Sequence, residues 1–344
     1  LNQKSRYPEF VWRVFGGFRR QGISLFVRKG IGRKWLVSII SLLFFLDASA
    51  QPPNTIVVVA TRQGGAYQDF IQAFEASLGE SKGTGSVGIR VVAASALSKH
   101  QFDEYYSRAR LVVTVGTVAA QTVLKMKTSV PVLSTLVPRS SYRVISSDNA
   151  GARLSSIYLD QPLERRFRLI ETVLPGSKNV SVVLGPSTVY MQNELRSLAR
   201  NHGVRIKTEK MSPDQRLAAP LNRVLEDSTV FLAVADPVVS NRRTVQNLLL
   251  TTYRHRVPVI AYSRAYVKAG ALAAVYSTPQ QIGQQAGELV GELVRSGSWT
   301  LPLPQYPEYF SVDINRQVAQ SFGIRVPGTA EVVRKLQQEE GAHR

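Results

Sequence analysis

In Leu111-Val-Val-Thr-Val-Gly-Thr117 a run of β-branched residues ends on a glycine and a hydroxyl, and an amphipathic stretch from Val118 to Met126 begins at once. β-Branched side chains fit a pleated strand, and an unbroken apolar run implies burial on both faces. A helix that starts directly after the strand presents unpaired backbone N–H groups at the strand's carboxyl end. The same unit recurs on either side. Thr55-Ile-Val-Val-Val-Ala-Thr61 is a strand followed by a helix near Gln68–Leu78. Ile89–Ala93 is a strand followed by a helix around Gln101–Arg108, and Val130-Pro-Val-Leu-Ser-Thr-Leu136 is a fourth strand. Apolar strands alternating with helices predict an α/β architecture, a parallel sheet with helices on both faces.

The pattern then restarts. A helix near Pro162–Val173 precedes the strand Asn179–Leu184 and a helix near Tyr190–Asn201. The strand Val204–Thr208, the helix Pro213–Glu226, the strand Thr229–Asp236, the helix Arg242–His255 and the strand Val257–Tyr262 follow. Two arrays of similar length predict two similar lobes, although no sequence repeat links them. Ala271–Tyr276 is a further strand and Gln280–Val294 a helix. Leu301–Pro307 is a proline-rich connector, Phe310–Ile314 a late strand, and Thr329–Gln338 a last helix before a fraying tail at Glu339–Arg344.

Residues 1–50 read differently. Trp35–Leu46 is one apolar block behind Arg33-Lys34, and Ala48-Ser49-Ala50 supplies an A-x-A cleavage signature. As a helix of ~1.5 Å per residue the block is too short for a hydrocarbon core of ~30 Å. It is read as a signal peptide with a long basic n-region, cleaved after Ala50, and the mature chain is expected in a periplasm. With no cysteine anywhere, a lipid anchor on an N-terminal cysteine is excluded, as are disulfides and thiolate metal sites. The four histidines lack ligand spacing, so no metal site is expected.

The net charge of +19 raises the question of nucleic acid. Nine basic residues against two acidic ones crowd the first 50 positions, and the rest are scattered without an RNP-like strand or a helix-turn-helix pattern. A solvated basic surface is the reading, and no nucleic-acid partner is expected. Gly83-Thr-Gly-Ser-Val-Gly88 matches G-x-G-x-x-G in letters, but it follows a helix and precedes a strand, the reverse of a dinucleotide site. It is read as a flexible loop, and no cofactor is expected. No P-loop, G-x-S-x-G or H-E-x-x-H occurs and no nucleophile is paired with a base, so the chain is read as a binder and not an enzyme.

Open α/β sheets bind ligands outside the carboxyl ends of their strands. Those positions hold Thr61 and Arg62, Gly116 and Thr117, and Ser134 and Thr135 in the first array, and Ser187, Asp236 and Ser263 in the second. Hydroxyls there can equally be helix N-caps. Asp236 has less need to be one, because Ser240-Asn241 stands nearer the next helix. A carboxylate in one lobe, with hydroxyls and N–H groups in the other, would suit a zwitterion such as an amino acid. Tyr142, Tyr190 and Tyr262 are candidates to stack on a ring, with packing in the core or rim as the alternative for each.

Val-Ala-Asp-Pro at 234–237, Asn-Arg-Arg-Thr at 241–244 and Tyr-Arg-His-Arg-Val-Pro-Val-Ile at 253–260 carry a more specific signal. So do Tyr-Val-Lys-Ala-Gly-Ala-Leu-Ala-Ala-Val-Tyr-Ser at 266–277, Ile-Gly-Gln-Gln-Ala-Gly-Glu-Leu at 282–289, Val-Asp-Ile-Asn at 312–315 and Phe-Gly-Ile-Arg-Val-Pro at 322–327. The chain resembles the ABC-transporter substrate-binding proteins related to tryptophan- and phenylalanine-binding transport components. The resemblance implies a two-lobed type I periplasmic-binding fold whose chain crosses between the lobes near 157–161, 274–278 and 300–308. Lobe 1 is then 54–158 plus 277–300, and lobe 2 is 161–274 plus 306–338. It implies a monomer that closes on a small molecule and delivers it to an ABC permease in the inner membrane. A periplasmic sensor that shows its ligand to a membrane receptor is the alternative. Asp236-Pro237 stands where relatives of known ligand tend to have Asp-Asn, and Arg62-Gln63 is a further departure, so the ligand stays open.

Overall fold

A computed structural model describes residues 54–80, 87–106 and 108–341. The segment read as a signal peptide and most of the glycine-rich loop lie outside them. Strands β1 (Asn54–Ala60), β2 (Val87–Ala93), β3 (Leu111–Val115), β4 (Val132–Val137) and β5 (Leu154–Tyr158) form one parallel sheet in the order β2-β1-β3-β4-β5. Strands β6 (Asn179–Leu184), β7 (Arg205–Lys210), β8 (Val230–Leu232), β9 (Val259–Ala261), β10 (Ala273–Tyr276) and β11 (Ser311–Ile314) form a second sheet, ordered β11-β10-β9-β8-β6-β7. Only β11 runs antiparallel to its neighbour. Both sheets therefore share one winding: the first strand is flanked by the second on one side and the third on the other.

The helices that matter below are α1 (Gly65–Glu80), α2 (Thr117–Lys125), α3 (Arg139–Asp148), α4 (Leu163–Val173), α5 (Gln192–Asn201), α6 (Ala218–Leu225), α7 (Val245–Arg254), α8 (Arg264–Ala269), α9 (Pro279–Ser296), α10 (Arg316–Ser321) and α11 (Thr329–Gly341). β1 and β3 are buried at almost every position, as the apolar runs predict. The amphipathic α4 turns Leu163, Phe167, Ile170 and Val173 into a core with β6, β8 and β10. The expected fraying begins later than read. α11 continues through Glu339 and Glu340, which pair with Arg168 (3.3 Å) and Arg165 respectively.

α9 follows a strand of the second sheet yet packs on the first. Ile282, Ala286, Val290 and Leu293 join Phe70, Phe74 and Leu78 of α1 in one core above β1 and β3. Gly283 and Gly287 make the approach possible: a Cβ on Gly283 would lie 2.3 Å from the Phe70 carbonyl oxygen, and one on Gly287 2.7 Å from that of Phe74.

The chain thus passes between the sheets three times, after β5, after β10 and before β11. These passages are tied together. Gln161 donates to the Ser277 hydroxyl (2.8 Å), which donates to the Tyr309 carbonyl (2.5 Å). The Tyr158 N–H donates to the Gln305 carbonyl (2.9 Å), and the Gln305 N–H donates to the Ser156 carbonyl of β5 (2.8 Å). Arg165 reaches both Gln161 and the Pro307 carbonyl (3.0 Å) while its other side forms a two-point pair with Glu340.

Candidate functional site

Each sheet has a point where connections leave its first and third strands in opposite directions, and ligands of such sheets bind in the crevice that opens there. In the first sheet Thr61 follows β1, and Gly116 and Thr117 follow β3. The Thr61 hydroxyl donates to the Val115 carbonyl (3.1 Å) and accepts from the backbone N–H of Ala119 (3.2 Å), which caps α2. Gly116, at φ 95°, brings this turn so close that a Cβ would meet Thr61 Oγ1 at 2.6 Å. Arg62 is exposed and stacks on Tyr67, 5.5 Å from the ring centre.

In the second sheet Gly185–Thr188 follows β6 and Asp236 follows β8. Asp236 is 1% exposed. Its Oδ2 accepts from the Ser187 N–H and the Thr188 hydroxyl (both 3.0 Å), and its Oδ1 from the N–H groups of Val238 (2.9 Å) and Val239 (3.4 Å). A carboxylate has about four acceptor sites, so none is left for a ligand amine. The expectation that Asp236 has less need to be a cap is corrected: it holds two loops together. Ser187 takes part through its backbone.

Ser134 and Thr135 are corrected as well. Both are fully buried, donating to the carbonyls of Ser155 (3.1 Å) and Thr114 (2.9 Å) within the sheet. The cause is the length of β4, which continues through an irregularity at Leu136 (φ 52°) to Val137. The sheet edge therefore falls at Pro138–Ser140, and α3 begins at Arg139.

A cavity of about 190 Å³ lies where the interlobe passages meet. Pro138, Arg139 and Ser140 at the start of α3 form one wall. Arg166 of α4, Thr188, Tyr190 and Met191 before α5, Val234 and Ala235 after β8, and Tyr262 and Ser263 after β9 form the facing wall. Leu159, Asp160, Gln161, Tyr276, Ser277 and Tyr306 close it along the passages. Of the nine residues expected from the sequence, only Ser263 lines it, while also capping α8 through the Tyr266 N–H (3.4 Å). Thr61, Arg62, Gly116 and Thr117 do not. Tyr190 and Tyr262 line it, whereas Tyr142 is core, edge-on to Tyr158 at 5.5 Å.

Charges are concentrated around this cavity. Arg139 crosses the cleft from α3 to Glu194 on α5 (2.9 Å) and donates to the Tyr306 hydroxyl (2.7 Å). Burial works against its charge, but the bond to Glu194 prevails and raises its pKa. Asp160 accepts the backbone N–H of Arg139, so it caps α3 from across the first passage. Desolvation holds its carboxyl above the ordinary range, opposed by that N–H and by the Arg166 charge. Arg166 is 4% exposed and donates through Nη2 to the Ala233 carbonyl. Burial pushes its pKa down to about 10, with Asp160 and Tyr262 resisting the fall. It therefore stays charged at neutral pH. Arg166 and Asp160 escaped the sequence reading because both precede the first strand of the second array, in a helix and a passage and not at a strand end.

The family model for ABC transporter substrate-binding proteins matches residues 94–335. The chain belongs to this family. Among solved structures, this substrate-binding protein is similar to a substrate-binding protein with adhesive properties from Clostridium difficile, in a ligand-free, open structure (15% identity, TM-score 0.63, covering 80% of this chain and 96% of that one). It is also similar to an ABC domain from Streptococcus pneumonia in complex with L-Trp (16% identity, TM-score 0.54, 82% and 97% covered) and to a conserved domain protein from Vibrio cholerae (20% identity, TM-score 0.55, 82% and 98% covered). No curated protein sequence matches it. The substrate-binding protein has the two-lobed type I periplasmic-binding fold, and its family takes small ligands on behalf of ABC transporters. Among the described residues no helix is long and apolar enough to cross a membrane.

Proposed function

We propose that this chain captures a small solute, an amino acid or related zwitterion, in the cavity between its lobes and delivers it to an ABC permease without altering it. In this reading it acts as a periplasmic monomer, exported by a signal peptide that is cleaved after Ala50. The lobes that close are 54–158 with 277–300, and 161–274 with 306–338. The observation that supports it is the make-up of the cavity wall: α3 on one side, the loops after β6, β8 and β9 on the other, and the passages between them. A ligand there completes its contacts only when both sides are near, so it binds the closed form better and shifts the population toward it. The Arg139–Glu194 pair spans the same two sides. At about 190 Å³ the cavity lies below the ~300–1,000 Å³ of drug-sized sites, which favours a small ligand. Because a solved relative of the same fold holds L-Trp, amino acids come first in a screen.

The test is thermal unfolding of the chain from Gln51 with amino acids, organic acids, sugars and nucleosides. A true ligand at 100 times its Kd adds ~2.7 kcal/mol to stability and shifts the midpoint by a few degrees. A shift with an amino acid supports the full reading. A shift with a sugar alone keeps capture and removes the zwitterion, and no shift in any class removes capture.

A further inference from the structure

Arg166 is a buried cation whose hydrogen bonding is unfinished. It is 4% exposed, yet among the described residues only Nη2 has an acceptor, and the buried Nε has none. Asp160 acts on it through space but forms no ion pair with it, and that carboxylate already accepts the Arg139 N–H. A guanidinium carries five N–H donors in a planar fork suited to a carboxylate. Burying it without a full set of acceptors is costly, and the cost is recovered if a partner arrives from outside the chain. Arg166 lines the cavity, which Tyr190 and Tyr262 line as well.

Resting on the solute-capture reading, we infer that Arg166 is the anchor for a carboxylate group of the ligand. The cavity is thereby specific for small organic acids, amino acids included, over amines and neutral solutes of the same shape. The ligand's carboxylate meets the guanidinium from the side that lines the cavity, and its body lies against Tyr190 and Tyr262. Asp160 stays in place as the cap of α3 and as the balancing charge that keeps empty Arg166 tolerable.

The experiment is calorimetric titration of the full chain with three probes of one shape: L-phenylalanine, 3-phenylpropanoate and 2-phenylethylamine. D-ribose is added as a neutral solute. Both carboxylates should bind, with 2-phenylethylamine at least ~10-fold weaker. Arg166→Gln should weaken the two carboxylates by about 10–150-fold, the range of a charge-assisted hydrogen bond. Equal binding of the amine and 3-phenylpropanoate, unchanged carboxylate affinity in Arg166→Gln, or no binding of either carboxylate would each overturn the anchor. Binding of ribose alone would overturn it while leaving solute capture standing, and capture itself falls only with the wider thermal screen. If Arg166→Gln does not fold, the ranking of the three probes on the unaltered chain decides the matter.

Discussion

The two sheets wind alike, and their crevices differ in what fills them. In the first, the turn after β3 is closed by a backbone: Gly116 at φ 95° lets the strand turn into α2 under a single hydroxyl, Thr61. In the second, the matching place is closed by a charge. Asp236 is packed so tightly under the loop after β6 that a Cβ on Gly185 would lie 2.2 Å from its Oδ1. One crevice is held by conformation and the other by electrostatics. Equivalent positions in similar folds thus need not share a task, and the groups of the second sheet that line the cavity lie beside Asp236 and not on it.

The sharpest way to break this contrast is Asp236→Ala. It strips four donors of their acceptor, two of them buried, and the expected loss is about 3–5 kcal/mol in urea unfolding, among the largest single-site effects. A loss under ~1 kcal/mol together with weaker solute binding would return Asp236 to the ligand. Gly116→Ala should cost about 1–3 kcal/mol, because it adds a strained φ to a close contact. An unaffected unfolding midpoint would mean that conformation does not hold the first crevice. Thr61→Val removes the α2 cap while keeping shape and should cost ~1 kcal/mol by the same measurement.

The smallest effect separates the lobes by pH. His202, at the end of α5, lies between Glu164 (3.1 Å) and Glu171 (2.7 Å). Burial disfavours its charge, but the bonds to the two carboxylates prevail and raise its pKa above 6.5. For Glu164 burial is likewise overcome, by His202 and Arg168, and its pKa falls below 4.5. A raised histidine contributes fully below its unfolded value and loses that contribution as pH rises through the folded one. The lowered glutamate contributes above its unfolded value and loses that as pH falls. The second lobe should therefore be most stable between about pH 4.5 and 6.5 and decline above that range. The decline should be less than ~1 kcal/mol, since both glutamates are more than one-third exposed. His202→Gln should flatten this slope in urea titrations from pH 6 to 9, and an unchanged slope would place its origin elsewhere.

Strands with continuous apolar runs, β1, β3 and β6, were legible because burial on both faces leaves no alternation to misread. β5 and α3 were not. Ser-Ser within β5 gives no apolar run, and α3 is mostly polar behind a proline. Strand ends located Thr61, Gly116 and Ser263 in sequence but could not show which strand overran, and β4 did so by enough to bury Ser134 and Thr135. Arg166 could have been suspected from Arg165-Arg166 in a helix whose neighbours Leu163, Phe167 and Ile170 are core, an unusual place for two cations. Which of the two faces a carboxylate of the chain and which faces a cavity depends on a helical phase that side-chain type alone does not set.

The close seating of α9 on α1 also governs the order in which this molecule can fold. The first five strands and α1 leave the ribosome early, but the helix that covers Phe70 and Phe74 emerges only after β10. Until then the first sheet carries a bare apolar stripe, and no amino-terminal fragment ending before Pro279 can hide it. The second sheet waits in turn for β11 and α11. Neither half can be completed during synthesis without the other. Contacts this distant in sequence make for slow acquisition of the native state, with an aggregation-prone interval that a holding chaperone would need to cover.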